Sequence, residues 1–335
     1  MSSRAPFVSC KSLADWQSHC VRVNKVPRTV VTIGNFDGVH LGHQEILRHL
    51  IETSRAENLT SVVVTFDPHP LRVLRPDQAP ALLLTLSQRL SAFEAAGVDA
   101  ALVLRFDRHL SELTPENFVR RILVETLHAQ SVLVGENFRF GHKHAGDVAL
   151  LRQLGAQHNF TVECIPPVIF RGITVSSTAV RDAVRDGNVA LAGRLLGRPY
   201  ALEGTIVSGE GRGARVIVPT LNLQTPQEIL PKLGVYATEA IVNGQTYRSV
   251  TNVGTRPTFN GQHVSIESYL FDFSPAPQSA PGPRALTVKF WDRLRDEMKF
   301  ESPDALRAQI QSDSHRALHF FSLLDSSRHN PTPAE

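Results

Sequence analysis

The sequence is poor in the residues that build disulfide frameworks and zinc sites. Its 335 residues include three cysteines, Cys10, Cys20 and Cys164, and no two of them form a C-x-x-C pair. An odd number of cysteines without a repeated spacing argues against both kinds of site. Unpaired thiols are typical of a reducing compartment, so we expect a cytoplasmic protein.

Long apolar runs and blocks of like charge are also lacking. The apolar run at residues 79–84 is too short to span a bilayer, and the first residues lack an apolar signal core. The net charge of +3 arises from scattered Lys and Arg with no polybasic run. We therefore expect neither a membrane nor a nucleic-acid partner.

Residues 28–165 alternate short β-rich apolar runs with helical patterns. The predicted strands are residues 29–33, 61–66, 100–104 and 131–134. The predicted helices are residues 44–55, 87–96 and 115–127. This alternation predicts an α/β domain with a mainly parallel sheet, whose ligands bind beyond the carboxyl ends of the strands.

The pattern changes near Tyr200, where short alternating runs separated by Gly, Pro and Asn turns begin. These predicted strands are residues 202–207, 216–218, 236–242, 246–253, 265–271 and 286–290. They favour an antiparallel β-barrel or a sandwich. Residues 274–283 are rich in Pro and Ser and predict a mobile loop.

A terminal helix is predicted to begin at Pro303, with Ser302 as its cap. The apolar residues that would form its buried stripe are Leu306, Ile310, Ala317, Phe321 and Leu324. Because the chain exceeds the usual size of a single core, we predict two domains, at residues 1–186 and 187–325, and a disordered tail at 326–335.

The segment VVTIGNFDGVHLGHQEIL, residues 30–47, predicts a strand, a Gly-rich turn and a helix. Gly34 and Gly38 permit tight backbone geometry, and the helix N-terminus offers free N–H groups to an anion. His40 and His43 are three residues apart, so both imidazoles can face one phosphate. A surface histidine pair and two zinc ligands are the alternatives, but the Gly turn before a helix favours phosphate.

A second segment, VSSTAVR at residues 175–181, has three hydroxyl residues before a predicted helix. Helix capping and phosphate binding use the same free N–H groups, so both interpretations stay open. Arg181 would add a planar set of donors one turn into the helix.

Four segments in this order resemble the prokaryotic bifunctional riboflavin kinase/FAD synthetase family. They are GNFDGVHLGHQ, TFDPHP at residues 65–70, GENFRFG at residues 135–141, and VSSTAVR. The resemblance implies a Rossmann-like nucleotidylyltransferase domain at 1–186, which adenylylates FMN to FAD. It also implies a riboflavin kinase barrel at 187–325.

The resemblance assigns residues of the first domain to three roles. The catalytic residues would be His40, His43, Asn137 and Arg181. The nucleotide-binding residues would be Gly34, Asn35, Phe36, Asp37, Gly38, Ser177 and Thr178, and the flavin-binding residues Phe66, Pro68, His69 and Pro70. His144 stands where the family has an Arg, so this contact would be weaker or pH-dependent unless Lys143 supplies the charge.

The second activity would need a base, because the nucleophile is a hydroxyl group. A strand glutamate is most often a solvated carboxylate, but the resemblance assigns Glu267 this catalytic role. The segment PTLN resembles the family's P-T-A-N motif, in which Thr220 and Asn222 would bind Mg²⁺. The family also implies that Gly209 and Arg212 bind nucleotide and that Arg256 binds flavin.

Three departures from the family's kinase motif are Ala214, Ile217 and Leu221, which could narrow the nucleotide pocket. The leading hypothesis is a bifunctional enzyme that uses riboflavin, FMN and ATP, with Mg²⁺ at each site. One alternative is an FMN adenylyltransferase with a degenerate kinase domain. Another is a non-catalytic protein that senses flavins or nucleotides. The sequence does not indicate an oligomeric state.

Overall fold

The computed structural model describes residues 6–23, 26–207, 220–258, 261–273 and 284–329, with the backbone alone for 256–258, 261–263 and 328–329. The chain divides into two compact units, Met1–Ser177 and Thr178–Glu335.

The first unit is built on a six-stranded sheet. Its strands are β1 (Val8–Cys10), β2 (Thr29–Ile33), β3 (Thr60–Asp67), β4 (Ala100–Arg105), β5 (Ala129–Gly135) and β6 (Thr161–Ile165). They lie in the order β1-β4-β3-β2-β5-β6, and every neighbouring pair is parallel. The predicted parallel α/β fold is confirmed. Neither edge strand was predicted: β1 has three residues, which show too little alternation, and the exposed Thr161 and Glu163 interrupt the apolar run of β6.

Helices cover this sheet. They are α1 (Leu13–Arg22), α2 (Leu41–Ala56), α3 (Pro70–Leu74), α4 (Leu86–Ala96), α5 (Arg108–Ser111), α6 (Pro115–Phe118) and α7 (Val148–His158). A hairpin of β7 (Ile169–Phe170) and β8 (Ile173–Thr174) ends the unit.

Both faces of the central strand β2 are covered, and all five of its residues are buried. Val31 packs in one apolar cluster with Trp16, and its neighbour Val30 packs in another with Leu47. Burial on both faces explains why β2 and its neighbours are nearly continuous Val-, Ile- and Leu-rich runs.

The predicted helix at 115–127 differs in detail from the structure. Helix α6 is followed by a π-helix, Val119–Val124. The amide of Glu125 donates to the carbonyl of Arg120 at 2.9 Å, a span of five residues. Apolar periodicity does not distinguish a π-turn from an α-turn over so short a segment, so the sequence pattern did not reveal it.

The second unit begins within α8 (Ser177–Arg185), which leads to α9 (Val189–Leu196). Our sequence prediction places the domain boundary after residue 186. The compact units divide after Ser177, and within the second unit the Lys232 amide donates to the Val184 carbonyl of α8 at 3.3 Å. The boundary after residue 186 stays a prediction.

A closed antiparallel barrel forms most of this unit. Its strands are β9 (Tyr200–Val207), β10 (Leu221–Gln224), β11 (Gly234–Val242), β12 (Gln245–Thr258), β13 (Gly261–Leu270) and β14 (Ala285–Arg295). They close in the order β10-β13-β12-β11-β14-β9. Of the two predicted architectures, the barrel is confirmed. The predicted strand at 216–218 and the predicted loop at 274–283 lie outside the described residues.

Hydroxyl groups form a connected chain in this barrel. Thr238 Oγ1 lies 2.7 Å from Thr251 Oγ1 and 2.8 Å from Ser249 Oγ, and Thr251 Oγ1 lies 2.8 Å from Ser268 Oγ. All four residues are fully buried. Their mutual hydrogen bonds satisfy polar groups that would otherwise destabilise the interior.

Helix α10 (Pro303–His329) packs on the barrel and begins as predicted, with the Ala305 amide donating to Ser302 Oγ at 3.1 Å. Ala317 and Phe321 of the predicted stripe are buried against Val235 and Ala237 of β11.

Helix α10 continues four residues into the segment predicted as a disordered tail. Side-chain bonds such as Ser326 Oγ to the Ser322 carbonyl, at 2.9 Å, support these turns, and residues 330–335 lie outside the described residues.

Among the described residues, no helix is both long and apolar enough to cross a membrane.

Candidate functional site

The carboxyl ends of three neighbouring strands carry the predicted motifs of the first unit. The Gly-rich turn follows β2, the segment FDPHP ends β3, and Asn137 follows β5. The chain passes from β2 through β3 to β4 on one side, then returns to place β5 on the other side of β2. This reversal between β2 and β5 creates a crevice of the kind that binds ligands in open α/β sheets.

The Gly-rich turn has an unusual backbone. Phe36 and Val39 have φ values of 51° and 41°, in the left-handed region that side chains disfavour. A Cβ added to Gly34 would lie 3.1 Å from the Phe36 ring, so the glycine permits this ring to fold back over the turn. The turn leads directly into the N-terminus of α2.

His40 and His43 lie together at this N-terminus. His40 caps α2, and its Nδ1 accepts a hydrogen bond from the His43 amide at 3.4 Å. The two imidazole rings stack with centroids 3.7 Å apart. A Cβ on Gly42 would lie 3.3 Å from the His40 ring, so this glycine leaves space for the pair.

The environment of His43 disfavours its charged form. Its ring packs against Phe36 with centroids 4.9 Å apart, and its buried Nδ1 has no hydrogen-bond partner in the described part of the chain. Desolvation lowers the pKa of His43 well below its usual value, and the adjacent His40 lowers this pKa further. The imidazole of His43 is therefore neutral at physiological pH.

Asp37 and Ser177 hold the Gly-rich turn in place. The Asp37 carboxylate is 2% exposed and accepts hydrogen bonds from the amides of Leu83 and Leu84 at 3.0–3.1 Å. Ser177 Oγ donates to the Asp37 carbonyl at 2.8 Å, so the start of α8 lies against the turn. These contacts anchor the turn, and nucleotide binding by Asp37 stays a prediction.

Asn35 connects the turn to the predicted flavin-binding segment. Its side-chain amide lies 3.2 Å from His69 Nε2, while His69 Nδ1 accepts from the Leu71 amide at 3.2 Å. A neutral ring that accepts at Nδ1 carries its proton on Nε2, so we assign the amide oxygen of Asn35 to the position facing His69.

The other predicted flavin-binding residues lie on the same segment. The Phe66 ring packs edge-on against Phe106 at 5.7 Å. Pro68 is exposed after a cis peptide bond, and Pro70 is the first residue of α3. These residues therefore flank His69 at the carboxyl end of β3.

Asn137 is exposed in the turn that follows β5, where the Phe138 amide donates to the Gly135 carbonyl at 3.0 Å. The Phe138 ring stacks on Phe140 with centroids 5.5 Å apart. His144 is also exposed, and its φ is 57°.

Two predicted residues lie on α8. Thr178 is exposed and Arg181 is buried, and both belong to the second unit.

The second candidate site lies on the barrel. Asn222 of β10 is directly opposite Glu267 of β13, and Glu267 is directly opposite Asn252 of β12. Directly opposed residues of antiparallel strands point to the same face with Cβ atoms about 5 Å apart. An amide, a carboxylate and a second amide therefore form a row across three strands, and the exposed Thr220 immediately precedes β10.

Five further residues of the prediction fall outside this description. Gly209, Arg212 and the departures Ala214 and Ile217 lie outside the described residues, as does the side chain of Arg256. Leu221, the third departure, begins β10 opposite Ser268.

The two units match two families in succession. A family described as FAD synthetase matches residues 23–179, and one described as Riboflavin kinase matches residues 196–321. A bifunctional riboflavin kinase/FMN adenylyltransferase of Escherichia coli (strain K12) is 40% identical over 88% of this chain and 93% of its own length. The protein of the same name from Pseudomonas fluorescens is 39% identical over 85% of this chain and 90% of its own.

The chain belongs to the bifunctional riboflavin kinase/FMN adenylyltransferase family. A crystal structure described as a macrolide-efflux protein from Streptococcus pneumoniae also has this fold, with a TM-score of 0.80 and 29% identity over 93% of this chain and 98% of that chain. The family assignment confirms the resemblance seen in the four sequence segments.

Sequence reasoning missed two residues near the candidate sites of this riboflavin kinase/FMN adenylyltransferase family member. Arg89 is a buried arginine of α4 that donates to the Gly-rich turn, and Asn252 completes the row on the barrel. An arginine in an amphipathic helix is normally exposed, so its residue type did not mark Arg89. Its spacing of four residues from the apolar Phe93 was the available signal, since both share one helix face.

Proposed function

We propose that this chain makes flavin cofactors in two ATP-dependent steps. It phosphorylates riboflavin to FMN and transfers AMP from ATP to FMN, which yields FAD and pyrophosphate. The observation that carries this proposal is the match of its two units to FAD synthetase and riboflavin kinase, in one chain that aligns with 93% of a bifunctional relative.

For adenylyl transfer, the first unit provides an anion-binding site without a strong base. The FMN phosphate attacks the α-phosphorus of ATP, and this phosphate is largely ionised at pH 7 because its second pKa is about 6. Catalysis then depends on positioning and on stabilising negative charge. The N-terminus of α2 and the two imidazoles are suited to both tasks.

We assign the two histidines complementary roles. Because His40 Nδ1 accepts the His43 amide, a neutral His40 carries its proton on Nε2 and donates that proton to a phosphate oxygen. His43 is neutral in the free site, and a bound triphosphate would raise its pKa, so binding favours the charged form that stabilises the transition state.

Other residues support the same step. Ser177 holds the turn through Asp37, and Asn137 and Asn35 border the crevice from β5 and β2. Nucleotide binding by Thr178 and Arg181 stays a prediction from the sequence, as does flavin binding by the segment around His69. His144 and Lys143 are exposed, and either would supply a basic group in place of the family's Arg.

For riboflavin phosphorylation, Glu267 is the proposed general base. The carboxylate accepts the proton of the riboflavin hydroxyl as this oxygen attacks the γ-phosphorus of ATP, and the bond from that phosphorus to the β-phosphate oxygen breaks to release ADP. Ser265 Oγ donates to Glu267 Oε1 at 3.3 Å and orients the carboxylate. Glu267 is partly buried on its strand, which limits its alternative positions.

The donor set of the barrel fits a magnesium ion. The hydroxyl of Thr220 and the amide oxygen of Asn222 are hard ligands two residues apart, beside the Glu267 carboxylate. When bound, Mg²⁺ would neutralise charge on the ATP phosphates. Thr220 and Asn222 would hold the ion, and Leu221 between them points to the opposite face.

Product analysis tests the whole proposal. The purified chain is incubated with ATP, Mg²⁺ and either riboflavin or FMN, and flavins and pyrophosphate are quantified by chromatography and a coupled assay. We expect FMN and then FAD from riboflavin. Conversion of FMN alone would leave an adenylyltransferase with a degenerate kinase, and ligand binding without pyrophosphate release would indicate a sensor. The cytoplasmic location also stays a prediction.

A further inference from the structure

Arg89 is a buried charge next to the candidate adenylyl-transfer site. It lies on α4 and is 4% exposed. Burial lowers the pKa of its guanidinium, while the nearby carboxylates of Asp37 and Asp67 oppose this change. A buried arginine is costly unless its donors are well paired, so its partners indicate why the position holds a charge.

The partners of Arg89 lie on the two loops that form the site. Nη1 donates to the Asn35 carbonyl at 2.8 Å and to Thr65 Oγ1 at 3.2 Å. Both terminal nitrogens lie 3.4 Å from the Phe66 carbonyl, and Nη2 lies 3.8 Å from the Asp67 carboxylate. One guanidinium thus joins the turn after β2 to the end of β3.

The bond to Asn35 fixes a peptide that leads to His43. The Asn35 carbonyl belongs to the peptide plane that precedes Phe36, whose φ of 51° is unfavourable for an aromatic residue. An external bond to this carbonyl holds the peptide in the orientation that this φ requires. The Phe36 ring then contacts His43, with centroids 4.9 Å apart.

The same helix supports the other side of Phe36. Phe93, four residues after Arg89, packs edge-on against the Phe36 ring with centroids 5.4 Å apart. Residues four apart share one helix face. Helix α4 therefore holds both the backbone and the ring of Phe36, through a charged side chain and an aromatic one.

We infer that Arg89 is a positioning residue for adenylyl transfer: by holding the Asn35–Phe36 peptide, it keeps the Phe36 ring against the imidazole of His43. This inference rests on the proposed function of the first unit. It differs from a role in stability alone, because it requires that the rate with bound substrates depend on Arg89.

The test compares R89M and R89K with the wild-type chain and with R120M. Arg120 is a matched control, an arginine of the same unit that is exposed and pairs with Glu125 at 2.7 Å. We expect kcat for FMN adenylylation to fall about thirtyfold in R89M and about fivefold in R89K, with KM for ATP changed less than about threefold. Lysine keeps the charge but lacks the planar fork, which explains the partial rescue.

The fluorescence of the buried Trp16, in a Trp291→Phe background, reports whether the first unit of each variant is folded. Riboflavin phosphorylation by the same preparations reports the second unit, and R120M should retain both activities. A folded R89M or R89K enzyme with a wild-type kcat for adenylylation would overturn the inference. If the wild-type chain itself forms no FAD from FMN, the proposed function fails instead, so the two failures are distinguishable.

The titration of His43, followed by NMR of its imidazole protons, provides a second measurement that needs no turnover. The assignment comes from the resonance that disappears in H43N. If Arg89 maintains the packing of Phe36 on His43, the pKa of His43 should move up towards its ordinary value in R89K and R89M. An identical titration in wild-type and R89K proteins would contradict the proposed coupling.

Discussion

The two units hold their candidate catalytic groups in different ways. In the first, Asn35, His40 and Asn137 lie on or next to turns that follow parallel strands, and buried polar groups such as Asp37 and Arg89 anchor one of these turns. In the second, the register of paired strands sets Asn222 opposite Glu267. A site on turns gains backbone N–H groups but depends on anchors away from the reacting atoms.

The difference agrees with the two nucleophiles. A phosphate that is already ionised needs positioning and charge stabilisation, for which turns, a helix N-terminus and paired imidazoles are suited. A hydroxyl group needs a base near its oxygen, which a strand carboxylate provides. The comparison predicts that substitutions in one unit leave the other activity unchanged.

The largest effect should come from Glu267→Gln. We expect riboflavin phosphorylation to fall about 10³-fold, because the hydroxyl nucleophile loses its base, while FMN adenylylation is retained. Initial rates of FMN and FAD formation measure both. Glu239→Gln is the control, a partly buried glutamate on β11 of the same barrel. A kinase rate within about tenfold of wild type would remove Glu267 from the base role.

His43→Asn should lower the other activity, FMN adenylylation, and leave riboflavin phosphorylation intact. FMN adenylylation is expected to fall about 10²-fold, since one group that stabilises the phosphate charge is lost, and phosphorylation should stay unchanged. The control is His49→Asn on the same helix, whose ring contacts Glu45 and Glu163 on the surface. Equal losses of the adenylylation rate in His43→Asn and His49→Asn would show that the reaction depends on an intact helix and not on the paired imidazoles.

Asn222→Ala should weaken metal binding at the barrel. Loss of one oxygen ligand is expected to raise the Mg²⁺ concentration for half-maximal phosphorylation about tenfold, which corresponds to about 1.4 kcal/mol. Magnesium titrations of the kinase rate test this. Gln224→Ala, two residues along β10, is the control. An unchanged magnesium requirement would exclude Asn222 as a ligand.

The smallest effect concerns the pH dependence of stability. Because the folded pKa of His43 lies below its unfolded value of about 6.5, the unfolded chain binds more protons at acidic pH. The stability associated with the neutral ring is complete above about pH 6.5 and is lost as the pH falls towards the folded pKa.

Urea denaturation at pH 7.5, 6.5 and 5.5 measures this dependence. In a Trp291→Phe background, the fluorescence of the buried Trp16 reports the first unit. His43→Asn should lose less stability on acidification than the parent protein. An equal loss in both proteins would assign the dependence to other titratable groups.

Much of the architecture was predictable because periodicity reflects which faces are buried. The Val-rich run of β2 is buried on both faces, and residues 286–290 of the barrel strand β14 alternate between buried and partly exposed, so both patterns are visible in the chain. The start of α10 was equally clear from Ser302 and Pro303. The Gly-rich turn and paired histidines were recognisable because their spacing is local.

The same reasoning did not predict which charged residues are buried. Asp313 lies within the stripe of α10 and is 1% exposed, since it pairs with Arg295 at 2.8 Å. Arg89 is equally hidden among carbonyl groups of two loops. A charged residue type predicts exposure, and its partner is far away in sequence.

The sequence by itself determined the succession of a parallel α/β region and an antiparallel β region along the chain, and the local motifs at which we predict anion binding. Only the tertiary structure decided which polar groups meet inside: Arg89 with the Asn35 carbonyl, and Asn222 with Glu267 and Asn252. The physical reason is that burial of apolar faces follows a local period, whereas each buried polar contact depends on the register and closure of distant segments.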